Sequence, residues 1–135
     1  MAKLAWINQE RRELDRAWGW SSTVKVNGLI FIAGTGAVDD NGEVICPGDA
    51  KGQMNALYDQ IEKILAFHGA TLEQMVQETW FTIDMDQMAD AWTERGKRYA
   101  NFEFPSTAGS EVTKLDLPEL LFEFQSIAVD PNWIK

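Results

Sequence analysis

Residues 23–34 constrain the fold most strongly, because this β-type segment carries apolar side chains on both of its alternating faces. One face carries Val24, Val26, Ile30 and Ile32, and the other carries Leu29 and Phe31. A strand with this pattern must be covered on both sides. The dipeptide Asn27-Gly28 favours a tight turn within the segment, so we expect a β-hairpin here.

The rest of the chain alternates between helical and strand patterns. Residues 49–68 predict a helix with a cap at Asp49 and a terminating glycine at Gly69. A strand is then expected at 76–83, followed by a second helix with Asp84 or Asp86 near its start. Two more strands are expected at 107–114 and 119–129. This order predicts an α+β fold in which two helices pack on one face of a mixed sheet. We expect the opposite face to meet another subunit.

Residues 20–135 are expected to form one domain, preceded by an N-terminal arm over residues 1–19. The arm carries its larger side chains at helical spacing, which predicts a short amphipathic helix. These residues are Leu4, Ile7, Arg11, Leu14 and Trp18.

The composition of the chain argues against several classes of function. A net charge of -9 argues against nucleic-acid binding, because such binding depends on Lys and Arg placed against phosphates. No apolar run approaches the roughly 18 residues of a membrane span, so we expect no membrane partner. The single cysteine, Cys46, cannot form an internal disulfide, which fits a cytoplasmic location. The sequence has no cluster of metal-ligating side chains and no glycine-rich phosphate loop, so no metal or cofactor is expected.

Three motifs together resemble the RidA/YjgF family of imine and enamine deaminases. They are Val24 to Gly34, Gly69 to Val76, and Pro105 to Ala128, the last of which contains Leu-Phe-Glu-Phe-Gln-Ser-Ile-Ala. The resemblance covers about residues 20–129. It implies a chorismate mutase-like fold, a homotrimer with a barrel-like centre, and small-molecule sites in the clefts between subunits.

The resemblance also implies a set of site residues. Gly34 matches the glycine that closes the early strand and lines the cleft, and Glu123 matches the glutamate that orients the attacking water. Trp20 stands where the family usually has a tyrosine. Trp92 lies roughly where a polar residue of the second helix faces the pocket. Without the resemblance, Trp20 and Trp92 are more typical of core or interface packing than of a ligand site. Glu123 on a strand is then more typical of a solvated or paired charge than of a catalytic group.

Thr107 marks the main departure from the family pattern. In active members this position holds an arginine that grips the substrate carboxylate, and an arginine fork forms two charge-assisted hydrogen bonds where threonine offers one neutral donor. No arginine follows Arg98 in the sequence. We therefore expect poor hydrolysis of amino-acid-derived imines such as 2-aminoacrylate.

Two functions remain open at this point. The first is a divergent imine or enamine hydrolase with Glu123 as its catalytic group and Trp20, Gly34, Trp92 and Thr107 as substrate-binding residues. The second is a non-catalytic trimer that binds a small molecule. The ribonuclease label that this family has attracted fits poorly with the acidic charge.

Overall fold

The computed structural model describes residues 7–9 and 13–133. Its strands are β1 (Ile7–Gln9), β2 (Thr23–Val26), β3 (Leu29–Thr35), β4 (Met75–Thr82), β5 (Ser106–Glu111) and β6 (Phe122–Val129). Its helices are α1 (Glu13–Trp18), α2 (Ala50–Phe67) and α3 (Met85–Arg98).

The six described strands form one mixed sheet in the order β1-β2-β3-β6-β4-β5. Neighbouring strands run antiparallel except β4 and β5, which are parallel. The expected α+β fold is therefore confirmed, with α2 and α3 packed together on one face of the sheet.

The hairpin expected at Asn27-Gly28 is also confirmed. Both residues have positive φ, 49° and 78°, as the tight turn between β2 and β3 requires. Alternation along β3 then buries Ile30 and Ile32 under the helices and leaves Leu29 and Phe31 39% exposed on the opposite face. Along β3, the second face of the sheet is thus apolar and uncovered within one chain.

The caps of α2 follow the sequence signals. The Asp49 side chain accepts a hydrogen bond from the Gly52 amide, and Gly69 has φ +72° just beyond the helix. His68 is the C-cap residue, and its buried ring lies near Thr23, with Nε2 to Oγ1 at 3.4 Å. This contact gives His68 a packing role between α2 and β2.

The N-terminal arm differs from its prediction as one helix. Ile7–Gln9 pair with β2 as an edge strand, and among the arm's described residues the helix is confined to Glu13–Trp18. An edge of the sheet offers unpaired backbone groups, and pairing with them satisfies more hydrogen bonds than an isolated short helix does. Leu4 and Arg11, which belong to the predicted helical stripe, lie outside the described residues.

A buried ion pair fastens the two helices to the sheet. The β4 residue Glu78 is fully buried, and its Oε1 accepts hydrogen bonds from Arg95 Nε at 3.0 Å and Nη2 at 2.6 Å. Its Oε2 accepts from the hydroxyls of Tyr58 on α2 and Tyr99 at the end of α3. Burial and then the Glu78 charge raise the pKa of both tyrosines, which keeps them as neutral donors. Every oxygen of this buried carboxylate is therefore satisfied.

We predict that Arg95→Met destabilises the protein strongly, because it leaves the Glu78 charge buried without its cation. Breaking such a pair costs roughly 3–5 kcal/mol. The matched control is Lys97→Met on the same helix, whose ammonium pairs with Glu94 but is 73% exposed, and it should lose much less. Urea unfolding of both variants measures the difference. Equal losses would show that the Glu78–Arg95 pair contributes no more than a surface pair.

Candidate functional site

A cavity of about 280 Å³ lies at the end of β3. Its wall comes from α1, the end of β3, the loop that leads to α2, one side of α2, and the stretch before and at the start of β6. The lining side chains used below are Trp18, Trp20, Asp39, Asp40, Gln60, Lys63, Asp116 and Glu123, together with the backbone at Gly34.

The α1 segment supplies an aromatic wall, Trp18 and Trp20. Their ring centroids lie 4.8 Å apart at an interplanar angle of 71°, and both side chains are 39% exposed. Gly19, with φ +81°, allows the chain to turn between them. The carbonyl oxygen of Asp15 accepts from the amides of Gly19 and Trp20, and its buried carboxylate accepts from the Ser22 hydroxyl. Asp15 therefore fixes the geometry of the aromatic wall.

Glu123 lies against Gly34. A Cβ added at position 34 would stand 3.1 Å from Glu123 Oε1, so glycine lets the β3 backbone approach the carboxyl group closely. In β6, Phe122 and Phe124 on either side of Glu123 are fully buried, so alternation turns Glu123 to the opposite face of the sheet.

Burial raises the pKa of Glu123, and the nearby charge of Asp116 raises it further. A carboxyl group with a raised pKa holds its proton closer to neutral pH than an ordinary glutamate does. The ionised form can accept a proton from water, and the protonated form can donate one to an imine nitrogen. The position and the environment of Glu123 both suit general acid–base chemistry.

Two α2 residues shape the opposite side of the cavity. Gln60 Nε2 donates hydrogen bonds to the carbonyls of Gly36 and Val38, at 3.1 and 2.9 Å, and so holds the loop that follows β3. Lys63 lines the same side. Among the described residues, it is the one Lys or Arg in the cavity wall.

Thr107 and Trp92 lie in a separate cluster around Arg95. Arg95 Nη2 donates to Thr107 Oγ1 at 3.2 Å, and the guanidinium carbon lies 4.4 Å from the Trp92 ring centroid. Burial alone would lower the pKa of Arg95. The Glu78 carboxylate, with smaller contributions from Tyr58 and Tyr99, outweighs burial, so the pKa is raised. A guanidinium therefore does reach the side chain at position 107, yet it is already paired with Glu78.

Strand register places the two clusters on opposite faces of the sheet. Thr107 is paired with Glu78, which is buried beneath the helices, whereas Glu123 is paired with Phe81 on the other face. Trp80 also covers the helix face of β5, since a Cβ at Gly109 would lie 2.0 Å from its ring. The structure thus brings Trp20, Gly34 and Glu123 together and does not bring Trp92 and Thr107 to them within one chain.

Sequence reasoning did not single out Trp18, Asp116, Gln60 or Lys63 as site residues. Trp18 was visible only as one member of a helical stripe, and Asp116 only as a charged residue near the Leu117-Pro118 turn. Gln60 and Lys63 give no motif, since polar residues are ordinary on the exposed side of a helix. Their place in the wall depends on tertiary packing.

Across residues 7–9 and 13–133, no group of three or more His, Cys, Asp or Glu side chains is arranged to hold a metal ion. Within the same part of the chain, no helix has the length and apolar character needed to cross a membrane.

Comparison with known proteins agrees with the geometry. The sequence signature of the family described as Endoribonuclease L-PSP matches residues 10–130. A RutC family protein of Pyrococcus abyssi is 30% identical over 109 residues, which cover 81% of this chain and 84% of the relative.

Solved structures show the same fold. A Mycobacterium tuberculosis member of the YjgF/YER057c/UK114 family superposes with a TM-score of 0.75 at 25% identity, covering 94% of this chain and 99% of that one. The YjgF gene product of Escherichia coli gives a TM-score of 0.74 at 25% identity, covering 82% and 87%. The chain belongs to the RidA/YjgF family, which is also called the Endoribonuclease L-PSP family.

We predict that Asp116→Asn lowers the pKa of Glu123 toward that of an ordinary glutamate, because it removes a neighbouring negative charge. Carbon-detected NMR titration of the Glu123 carboxyl group measures the shift. The matched control is Asp90→Asn on the exposed side of α3, which should leave the Glu123 titration unchanged. An equal effect from both variants would mean that net charge, not the Asp116 contact, sets this pKa.

Proposed function

We propose that this protein is a divergent imine or enamine hydrolase, with Glu123 as its catalytic acid–base group. The observation that carries the proposal is the Glu123 carboxyl group, which combines a raised pKa with a position on a ligand-sized cavity. Family membership supports the same reaction class, and Glu123 stands at the position that the resemblance assigns to water activation. No metal or cofactor enters the mechanism.

In this mechanism the ionised Glu123 accepts a proton from a water molecule as the water oxygen bonds to the carbon of the protonated imine. The π electron pair of the C=N bond moves to nitrogen and gives a neutral carbinolamine. Glu123 then returns its proton to nitrogen, and the C–N bond breaks as the hydroxyl oxygen forms the C=O bond. The hydroxyl proton passes to the departing ammonia, so a carbonyl product and ammonium leave. Because the Glu123 carboxylate is regenerated, one residue serves as base and then as acid.

The substrate differs from that of the arginine-bearing members. Thr107 offers a hydroxyl group, and the Arg95 guanidinium beside it is neutralised by Glu78. The fork that would hold a substrate carboxylate is therefore missing from this position.

The second candidate is a non-catalytic small-molecule-binding trimer. The same Thr107 and Arg95 arrangement favours it. A family member without the carboxylate-binding arginine can still bind a ligand in its cavity and yet lose the hydrolysis reaction. An RNA-directed activity is less well supported, since a net charge of -9 opposes phosphate binding.

The active assembly in this proposal is a homotrimer. The uncovered sheet face exposes Leu29 and Phe31 beside Val129, and burial of such a patch stabilises association. Since Glu123 and Thr107 point to opposite faces of one sheet, a single cleft can contain both only if neighbouring subunits supply them.

We predict a trimer in solution, with a mass about three times the 15.3 kDa of the chain. Light scattering coupled to size-exclusion chromatography measures the mass. Phe31→Lys should break the assembly, because it places a charge in the apolar patch, whereas Phe67→Lys changes an exposed residue at the end of α2 and should leave the mass unchanged. A monomeric wild-type protein at micromolar concentration would remove the shared cleft from the proposal.

We predict that Glu123→Gln lowers the rate of imine hydrolysis by roughly 100-fold or more, the scale expected for loss of a positioned acid or base. The amide keeps the shape of the carboxyl group, so ligand binding should be retained. The matched control is Glu119→Gln, an exposed residue just before β6, which should keep wild-type activity. A panel of imines run on all three proteins gives the comparison. Equal rates for wild type and Glu123→Gln would exclude Glu123 from the mechanism.

A further inference from the structure

The aromatic wall of the cavity at the end of β3 indicates which ligands the cavity can bind. Trp18 and Trp20 present partly exposed rings in an edge-to-face arrangement, held in place through Asp15. Exposed indole faces attract flat apolar groups by burial of area and attract cations through the ring quadrupole. This wall suits an aromatic ligand, a cationic ligand, or one that is both.

The charges around the cavity are mostly negative. Among the residues that the structure describes, four carboxylates line it, those of Asp39, Asp40, Asp116 and Glu123, against one ammonium, that of Lys63. Asp39 uses Oδ1 to accept hydrogen bonds from two backbone amides of its own turn, so part of its charge serves the loop. Asp116 and Glu123 lie close enough for the first to raise the pKa of the second. A carboxylate ligand placed here would meet repulsion, whereas a cation would relieve it.

Arg95, which donates a hydrogen bond to Thr107, does not offer a free positive charge to a ligand carboxylate. Arg95 is 3% exposed, and its guanidinium forms two hydrogen bonds to Glu78. Its planar face is covered by the rings of Trp92 and Phe104, with centroid distances of 4.4 and 5.3 Å. A ligand carboxylate would have to displace Glu78 from this pair, and Glu78 would then remain buried without its counter-charge.

We propose, resting on imine hydrolysis at Glu123, that the substrate is an aromatic iminium ion without a carboxylate, of the kind formed when a primary amine is oxidised. Its ring packs against Trp18 and Trp20, and its positive nitrogen lies toward Asp116 and Glu123. The balanced reaction is R–CH=NH₂⁺ + H₂O → R–CHO + NH₄⁺. In this proposal Trp18 and Asp116 determine substrate specificity, and Glu123 carries out the acid–base chemistry.

The test compares two imines that share a phenyl ring and differ in the carboxylate. An amine oxidase generates the imine of phenylacetaldehyde from 2-phenylethylamine, and an L-amino-acid oxidase generates the imine of phenylpyruvate from phenylalanine. Semicarbazide trapping follows the disappearance of each imine. We expect the protein to accelerate hydrolysis of the first imine at least about tenfold more than that of the second, because charge complementarity discriminates against the wrong sign. Equal acceleration, or a preference for the carboxylate-bearing imine, would overturn the inference.

A binding measurement separates failure of the charge inference from failure of the hydrolase. Calorimetry compares 2-phenylethylammonium with 3-phenylpropanoate, which have similar size and opposite charge. If neither imine is hydrolysed but the ammonium ion binds more tightly, hydrolysis is refuted and the site keeps its preference for aromatic cations. Equal or tighter binding of 3-phenylpropanoate overturns that preference whatever the catalytic result.

Variants then assign the preference to residues. Trp18→Leu and Asp116→Asn should each weaken 2-phenylethylammonium binding by several-fold to about tenfold, the scale of a single cation–π or charge contact. Asp116→Lys should reverse the order of the two ligands. Trp133→Leu is the matched control, since this exposed tryptophan packs beside Gly28 and does not line the cavity. Loss of binding in Trp133→Leu equal to that in Trp18→Leu would indicate general destabilisation and overturn the assignment.

Discussion

The buried ion pair between Glu78 and Arg95 is the interaction on which the rest of this structure depends. It joins the centre of β4 to α3, recruits α2 through Tyr58, and reaches β5 through Thr107. A charge in this position is tolerated only because each oxygen of the carboxylate has donors. The helices are consequently held on the sheet by a polar arrangement inside an otherwise apolar core.

The same pair limits the chemistry available at β5. A guanidinium beside position 107 is what a carboxylate-binding site needs, yet here its charge is committed to the protein itself. Trp80 fills the neighbouring space over Gly109, so this side of the strand is occupied by the protein's own side chains. A ligand-sized cavity lies instead at the end of β3, where Glu123 and the two tryptophans of the α1 segment meet.

Local signals in the sequence predicted most of the fold. Asn27-Gly28 located the first hairpin, and Asp49 with Gly69 bounded α2, because turns and caps depend on residues close in sequence. Long-range pairing left no such signal. Nothing near Glu78 indicates its partner 17 residues later. The spacing in the N-terminal arm predicted a helix and gave no signal for the edge strand at Ile7–Gln9. The place of Asp116 in the cavity wall depends on how a loop packs, which periodicity does not encode.

The attachment of the aromatic wall has an evolutionary consequence. Trp18 and Trp20 belong to a short peripheral segment that is anchored by the carbonyl and carboxylate groups of Asp15, whereas the core lies between the sheet and the two long helices. Substitutions in this segment would change the cavity wall without removing residues of the apolar core. New ligand specificities would therefore be accessible at little cost to stability.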